Sequence, residues 1–380
     1  MELELTSDQE FFAETTRKFL EDKASVTELR ARRHDPVGFD GDYWRQGAEL
    51  GWTSLLVSEP DGGGSISGRG VADLALVGFE FGRHAAPGPL VGNNVVAGAL
   101  SELGTAAQKA EWLPGLLGGE RLAAWALAEP RPNDRLGEVL VEATPKGDRY
   151  VVSGTKQPVE SADQSALLLV VARSPEGLVQ LLVPTDSPGV SVGAMGGVDL
   201  SRRFGSVTLD HVELPASAVL GDAADAERAV EHQLELAIVL ELAEMVGAMD
   251  KALEITIEWA FNRYSFGRPL ASYQELKHRF ADMKIWLEAS HALADEAARA
   301  VQDRSPGAIE IVSGAKAYVS AKGPELVQDC IQMHGGIGVT FDHDLHLYLR
   351  RVVLGSKLWG TAADHRNRLT TILEQREGVR

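Results

Sequence analysis

The hydrophobic period of this chain changes twice, and that double change restricts the fold more than any single motif. Up to about residue 120 the apolar residues recur at helical spacing. From about 121 to 225 they alternate or form short runs, and from about 226 onward the helical spacing returns. A period of two suits a sheet and a period of 3.6 suits a helix, so neither pattern settles in place of the other. The chain therefore reads as α+β. An N-terminal α-helical domain is expected over 1–120, a middle β domain over 121–225 and a C-terminal helical-bundle domain over 226–380.

Local signals fill in this layout. Thr6-Ser7, with Glu10 three residues after Ser7, reads as a capping box. Phe11, Phe12, Thr15, Phe19 and Leu20 then fall on one helical face. Gly51-Trp52 through Glu59-Pro60 reads as a short extended piece, and Asp61-Gly62-Gly63-Gly64-Ser65 as a loop. No strand–glycine–helix–lysine order accompanies those glycines, so they do not read as a phosphate cradle. Helical spacing resumes from Val71 to Arg83, breaks at Pro87-Gly88-Pro89, and continues near 91–103 and 105–117. Strand candidates are Ala123–Leu127, Val139–Ala143, Arg149–Ser153, Ala166–Ala172, Leu178–Pro184, Val190–Val192 and Gly205–Leu209. Antiparallel pairing is expected among them. Long helices are expected near 227–262, 272–303, 307–334 and 343–375.

Charge and cysteine usage remove several function classes. Lys+Arg 37 against Asp+Glu 55 gives a net charge of −18, a poor match to nucleic acid or an anionic membrane. Cys330 is the single cysteine, so no intrachain disulfide forms, and its run LVQDCIQM marks it as a core residue rather than a nucleophile. No apolar run reaches the roughly 18 to 20 residues a membrane span needs. The acidic start MELELTSDQEFF is unlike a signal peptide, and a cytoplasmic protein is expected. His343 and His346 beside Asp342 and Asp344 read as a helix cap rather than a metal site, and no metal is expected.

The densest chemistry lies in NRYSFGRPLASYQELKHRFADM, residues 262–283. An arginine fork, an aromatic face, a glycine and an amide within so few residues suit a pyrophosphate or a flat heteroaromatic ring. An ordinary helix–turn–helix with a solvated arginine has the same spacing, and spacing alone leaves both readings open.

The layout and five segments together resemble the acyl-CoA dehydrogenase family over nearly the whole chain. The segments are LGWTSLLVSEPDGGG, GTAAQKAEWLPGLLGGERLAAWALAEP, LDHVELPASAVLG, RYSFGRPLASYQELKHRFADM and QMHGGIGVTFDHDLHLYLRR, in family order. The resemblance implies a helical domain, a β-barrel domain and a four-helix domain. It also implies a tetramer that binds FAD and an acyl-CoA thioester, with the flavin between subunits. Arg263, Phe266 and Gln274 would then contact the FAD of a neighbouring subunit at its pyrophosphate and adenine side. Gln332, Gly335 and Gly336 would approach the adenosine half. An electron-transfer flavoprotein joins the expected partners.

The family's own flavin and base motifs are altered here. Thr-Glu-Pro followed by Gly-x-Gly-Ser-Asp becomes Ala128-Glu129-Pro130, then Arg131-Pro132-Asn133-Asp134-Arg135. Trp-Ile-Thr becomes Pro158-Val159-Glu160. The base Glu before Gly-Thr becomes Trp359, and the second base location falls on Ala237 and Ile238. Glu241 lies one turn on from Ala237 and is the candidate substitute base, ahead of Glu235 and Glu244; a solvated or interface carboxylate is the competing reading. The expected function is FAD-dependent α,β-dehydrogenation of an acyl-CoA to 2-enoyl-CoA. This chain would act in a heterotetramer with a homologous active subunit, as in two-gene bacterial assemblies that act on steroid side-chain thioesters. A non-catalytic structural subunit, or the same fold with a different chemistry, is the alternative.

Overall fold

The computed structural model describes residues 5–130 and 139–378, the side chain of Glu377 excepted. Helix α1 (Ser7–Lys23) is capped by Thr6. Its hydroxyl accepts from the Gln9 amide at 3.2 Å, while the Gln9 side chain accepts from the Thr6 amide at 3.1 Å. The box thus runs from Thr6 to Gln9 rather than from Ser7 to Glu10, because the helix starts one residue earlier than expected. The buried face shifts with it: Phe12, Thr16 and Leu20 point inward and Phe11 stays exposed.

Helices α2 (Val26–Ala31), α3 (Gly41–Glu49), α4 (Gly70–His84), α5 (Leu90–Leu103) and α6 (Ala106–Leu117) complete the N-terminal layer. The stretch from Gly51 to Pro60 is a series of turns ending in a 3₁₀ turn at Glu59–Asp61, not an extended piece. Trp52 explains the difference. Its ring is fully buried between Phe19 and Phe81, and its Nε1 donates to Thr16 Oγ1 at 3.3 Å, which holds the chain in a compact coil. The Gly63 and Gly64 amides donate to Ser58 O and Ser54 O, so that loop satisfies its own backbone.

The middle sheet contains β1 (Ala123–Ala126), β2 (Glu142–Lys146), β3 (Arg149–Glu160), β4 (Leu167–Ser174), β5 (Gly177–Pro184), β6 (Val190–Met195) and β7 (Phe204–Pro215). Their order is β1-β4-β2-β3-β7-β6, with β5 pairing β4. Most pairs are antiparallel, but β1 and β2 both run parallel to β4. The β2–β3 hairpin is inserted between β1 and β4 in sequence, so the chain returns in the same direction. Strand β3 continues to Glu160 rather than stopping near Ser153, because β7 pairs along it as far as Glu160↔Phe204. On β4 the two faces separate by alternation. Leu167, Leu169 and Val171 join the core shared with the helices, while Leu168, Val170 and Ala172 fill the inside of the sheet. Each of these buried Leu and Val side chains contributes about 1.5–3 kcal/mol.

Helix α7 (Ala226–Asn262) is a rod about 55 Å long at 1.5 Å per residue. It crosses α4 at backbone contact: a Cβ on Gly82 would lie 1.9 Å from Glu244 O, and one on Gly247 would lie 2.0 Å from Phe79 O. A two-stranded hairpin, β8 (Tyr264–Ser265) and β9 (Arg268–Pro269), links it to α8 (Gln274–Gln302), and α9 (Ala308–His334) follows. The single helix expected over 343–375 is two helices, α10 (Leu345–Gly355) and α11 (Ala362–Glu377). Trp359 (φ 59) and Gly360 (φ 101) turn left-handed, and Thr361 then caps α11 with Asp364. One apolar core runs through both helical layers and one sheet face. Cys330 is buried within it. Among the described residues, no helix is long and apolar enough to cross a membrane.

Candidate functional site

Two parts of the molecule carry the residues singled out in sequence, and they differ in exposure. The first is the outer end of the bundle. Helix α7 stops at Asn262, and Tyr264 and Ser265 pair with Pro269 and Arg268 across a two-residue turn. Both turn residues, Phe266 (φ 49) and Gly267 (φ 80), are left-handed, the geometry that follows the twist of a tight hairpin. A bulky residue at positive φ is strained, and Phe266 holds that conformation while 97% exposed. The hairpin is pinned from behind. Tyr273 donates its hydroxyl to Ser265 O at 2.6 Å, and the Arg268 guanidinium lies 3.8 Å from the Tyr273 ring centre. Gln274 opens α8 and is exposed, its amide 2.9 Å from His278 Nε2.

Beside this hairpin α9 ends at His334, and Gly335 takes φ 64 and ψ −140, backbone angles open to glycine. A Cβ on Gly335 or Gly336 would meet nothing within 4 Å, whereas one on Gly338 would lie 2.5 Å from Ile331 O. Packing therefore demands glycine at 338 but leaves open space over 335 and 336, which together with Gln332 are exposed. A short ladder joins the two segments. The Arg263 guanidinium lies over the Trp259 ring at 5.7 Å, and Trp259 stacks on His334 at 4.9 Å. Among the described residues Arg263 meets no carboxylate. An exposed guanidinium beside an open glycine pair fits an anionic, flat nucleotide.

The second part is the junction of the sheet with the bundle, where Pro158-Val159-Glu160 ends β3. Glu160 accepts from Arg202 Nε at 2.6 Å and Nη2 at 2.8 Å. Arg202 Nη1 donates to both oxygens of Glu241, at 3.0 and 2.9 Å, and lies 3.6 Å from Glu244. Arg351 on α10 donates to Glu244 at 2.9 Å, Asp199 at 2.6 Å, Ser201 Oγ at 2.7 Å and Ala86 O at 2.9 Å. All these side chains are buried, Glu241 at 0% exposure. Burial opposes the charge on Arg202, but Glu160, Glu241 and Glu244 hold it firmly protonated. Burial pushes Glu244 up to about 7, against the pull of Arg202 and Arg351. Lys316 donates to Gly355 O at 2.5 Å, and burial lowers it to about 8.

Glu241 is thus buried away from solvent. Both of its oxygens are engaged by Arg202, so a role as base would require it to leave that partner. Glu244 sits in the same network. Ala237 and Ile238 are buried in the core. Trp359 packs its ring on Trp125 at 5.2 Å. Glu129 serves the sheet: its carboxylate accepts from the Leu140 and Val141 amides and from Lys156 Nζ at 2.7 Å. Residues 131–135, the other half of that altered motif, lie outside the described residues. This junction does not fit a flavin ring, which needs an apolar slot with polar groups free to bond it. Sequence reasoning missed Asp199, Arg202 and Arg351. Their signal was the pair of double arginines at 202–203 and 350–351. Among the described residues no group of three potential metal ligands occurs. His343 Nδ1 instead accepts from the Leu345 amide at 3.3 Å.

Comparison with known proteins adds to this geometry. Residues 6–120 match the acyl-CoA dehydrogenase N-terminal domain, and residues 228–373 match its C-terminal domain. Acyl-CoA dehydrogenase FadE12 of Mycobacterium tuberculosis is 30% identical over 332 residues, covering 83% of this chain and 82% of that protein. Acyl-CoA dehydrogenase IpdE2 of Mycolicibacterium smegmatis is 27% identical over 367 residues, covering 96% of this chain and 98% of that protein. A variant of the Tcur3481-Tcur3483 steroid ACAD superposes with a TM-score of 0.88 at 31% identity, over 97% of this chain and 98% of that chain. The chain belongs to the acyl-CoA dehydrogenase family.

Proposed function

We propose that this chain is one subunit of an FAD-dependent acyl-CoA dehydrogenase, paired with a homologous subunit that houses the flavin ring and the base. The observation that carries the reading is the split described above: the nucleotide-suited residues are exposed and open, while the sheet–bundle junction is closed by ion pairs. The reaction is α,β-dehydrogenation of an acyl-CoA thioester to a 2-enoyl-CoA, with FAD supplying the hydride acceptor when bound.

This chain's own residues bind and orient the nucleotide. Arg263 offers a bidentate fork to the pyrophosphate, and Phe266 and Gln274 flank the adenine side. Gln332 and the backbone at Gly335 and Gly336 approach the adenosine half, where the open glycine pair supports close contact. The name of the Tcur3481-Tcur3483 steroid ACAD supports a steroid side-chain thioester as substrate class. An electron-transfer flavoprotein is the proposed electron acceptor, and the cytoplasm the proposed location.

Co-expression with a homologous subunit tests the reading. The complex is expected to be yellow and active, and this chain alone colourless and inactive. A yellow, active homo-oligomer of this chain alone would overturn the partner requirement. The Trp359–Trp125 contact and the tethered Glu241 favour a second reading, a purely structural subunit. It gains ground if Arg263→Ala and Gln274→Ala leave the flavin content of the complex unchanged.

A further inference from the structure

We propose that the Arg202–Arg351 lattice stands in for a flavin ring as the strut between the middle sheet and the helical bundle, so that this chain docks its own domains without a cofactor. The inference rests on the reading above that the flavin ring is housed next door. The lattice draws on every layer around the junction. Glu160 comes from the end of β3, and Asp199, Ser201 and Arg202 come from the loop between β6 and β7. Glu241 and Glu244 come from α7, Arg351 from α10, and Ala86 O from the loop between α4 and α5.

Each arginine uses its planar fork in two directions. Arg202 turns Nε and Nη2 to the sheet and Nη1 to α7, while Arg351 joins α10 to the β6–β7 loop and to α7. Every nitrogen of both guanidinium groups has an acceptor within 3.0 Å. A pocket that had merely decayed would leave a void or unpaired polar atoms. Here every guanidinium nitrogen is paired, so bonds that cross the layers occupy the centre of the junction. A ring entering the junction would have to break those bonds and leave charges buried without partners. The packing on the far side agrees: a Cβ on Gly355 would lie 2.6 Å from Glu241 Oε1, so α10 rests directly on the lattice.

Hydrogen exchange read by mass spectrometry tests the proposal on the co-expressed complex, with its flavin bound and after the flavin is stripped. Segments 158–161, 199–203 and 241–245 of this chain are expected to stay equally protected in both states. Arg202→Met is expected to raise their exchange rates roughly tenfold or more in either state. Where Arg202→Met does not accumulate, Arg202→Lys serves, since it keeps the charge but cannot span Glu160 and Glu241 together. Loss of protection at 158–161 of this chain on flavin removal overturns the proposal. So does unchanged exchange in the Arg202 variants. If this chain instead purifies alone as a yellow enzyme, the partner reading fails, and the same comparison on that species still decides the lattice separately.

Discussion

The middle of α7 and its C-terminal end use arginine in opposite ways. Near its middle, Glu241 and Glu244 face Arg202 and Arg351, which are buried and have an acceptor inside the chain at every guanidinium nitrogen. Past its end, Arg263 is exposed and rests on the Trp259 ring. An arginine neutralised internally is withdrawn from ligand chemistry and becomes a structural tie. One held by an aromatic face keeps its charge for an incoming anion. The same residue type thus marks a closed site in one region and an available edge in the other.

Breaking the buried tie should have the largest effect. Arg202→Met strands Glu160 and Glu241 as buried, unpaired carboxylates and is expected to cost about 3–5 kcal/mol, read by urea denaturation. A loss under about 0.5 kcal/mol would mean that the junction is not held this way. At the open edge, Arg263→Ala should leave stability intact but weaken FAD binding by the complex. A loss of one charge-assisted contact, about 1.5–3 kcal/mol or roughly 10- to 100-fold, is expected in a fluorescence titration. Unchanged affinity there would remove the contrast between the two regions.

Gly335→Ala sharpens the contrast from the backbone side. Its φ of 64 and ψ of −140 strain any side chain, by about 1–3 kcal/mol, and the new methyl enters the open space above the loop. Flavin retention should therefore fall by more than the melting temperature alone explains. The lattice should also show itself in pH. Glu244 is raised by burial from 4.5 to about 7, so its contribution to stability is complete below 4.5 and is lost as pH rises through about 7. Melting curves should decline over that window in the natural chain and less so in Glu244→Gln; identical slopes would count against it. The smallest effect belongs to Phe266→Ala. Its exposed ring should change folding stability by no more than about 0.5 kcal/mol, whatever it does to nucleotide binding, and a larger thermal shift would place Phe266 in the fold rather than the site.

Much of the architecture was legible because burial imposes a period on each element. The unbroken apolar run from Leu167 to Ala172 and the helix from Ala226 to Asn262 are written directly in the sequence, though only the packing assigns alternate residues of that run to the two cores. Glu160 was legible as a change from Trp-Ile-Thr, but its partner was not. Arg202 lies 42 residues away and meets it only when β3 and the β6–β7 loop close together. The break at Trp359-Gly360 was also missed, because apolar spacing continues across it while the backbone turns left-handed.

The sequence by itself determined the helix–sheet–helix order, the family, and the arginine- and glycine-bearing turn between two C-terminal helices, since these rest on local spacing and short motifs. Tertiary structure alone decided the state of Glu241. One carboxylate on a helix face reads the same whether it meets water, a substrate or an arginine. Its chemistry depends on the partner that long-range packing delivers, and here that packing delivers Arg202.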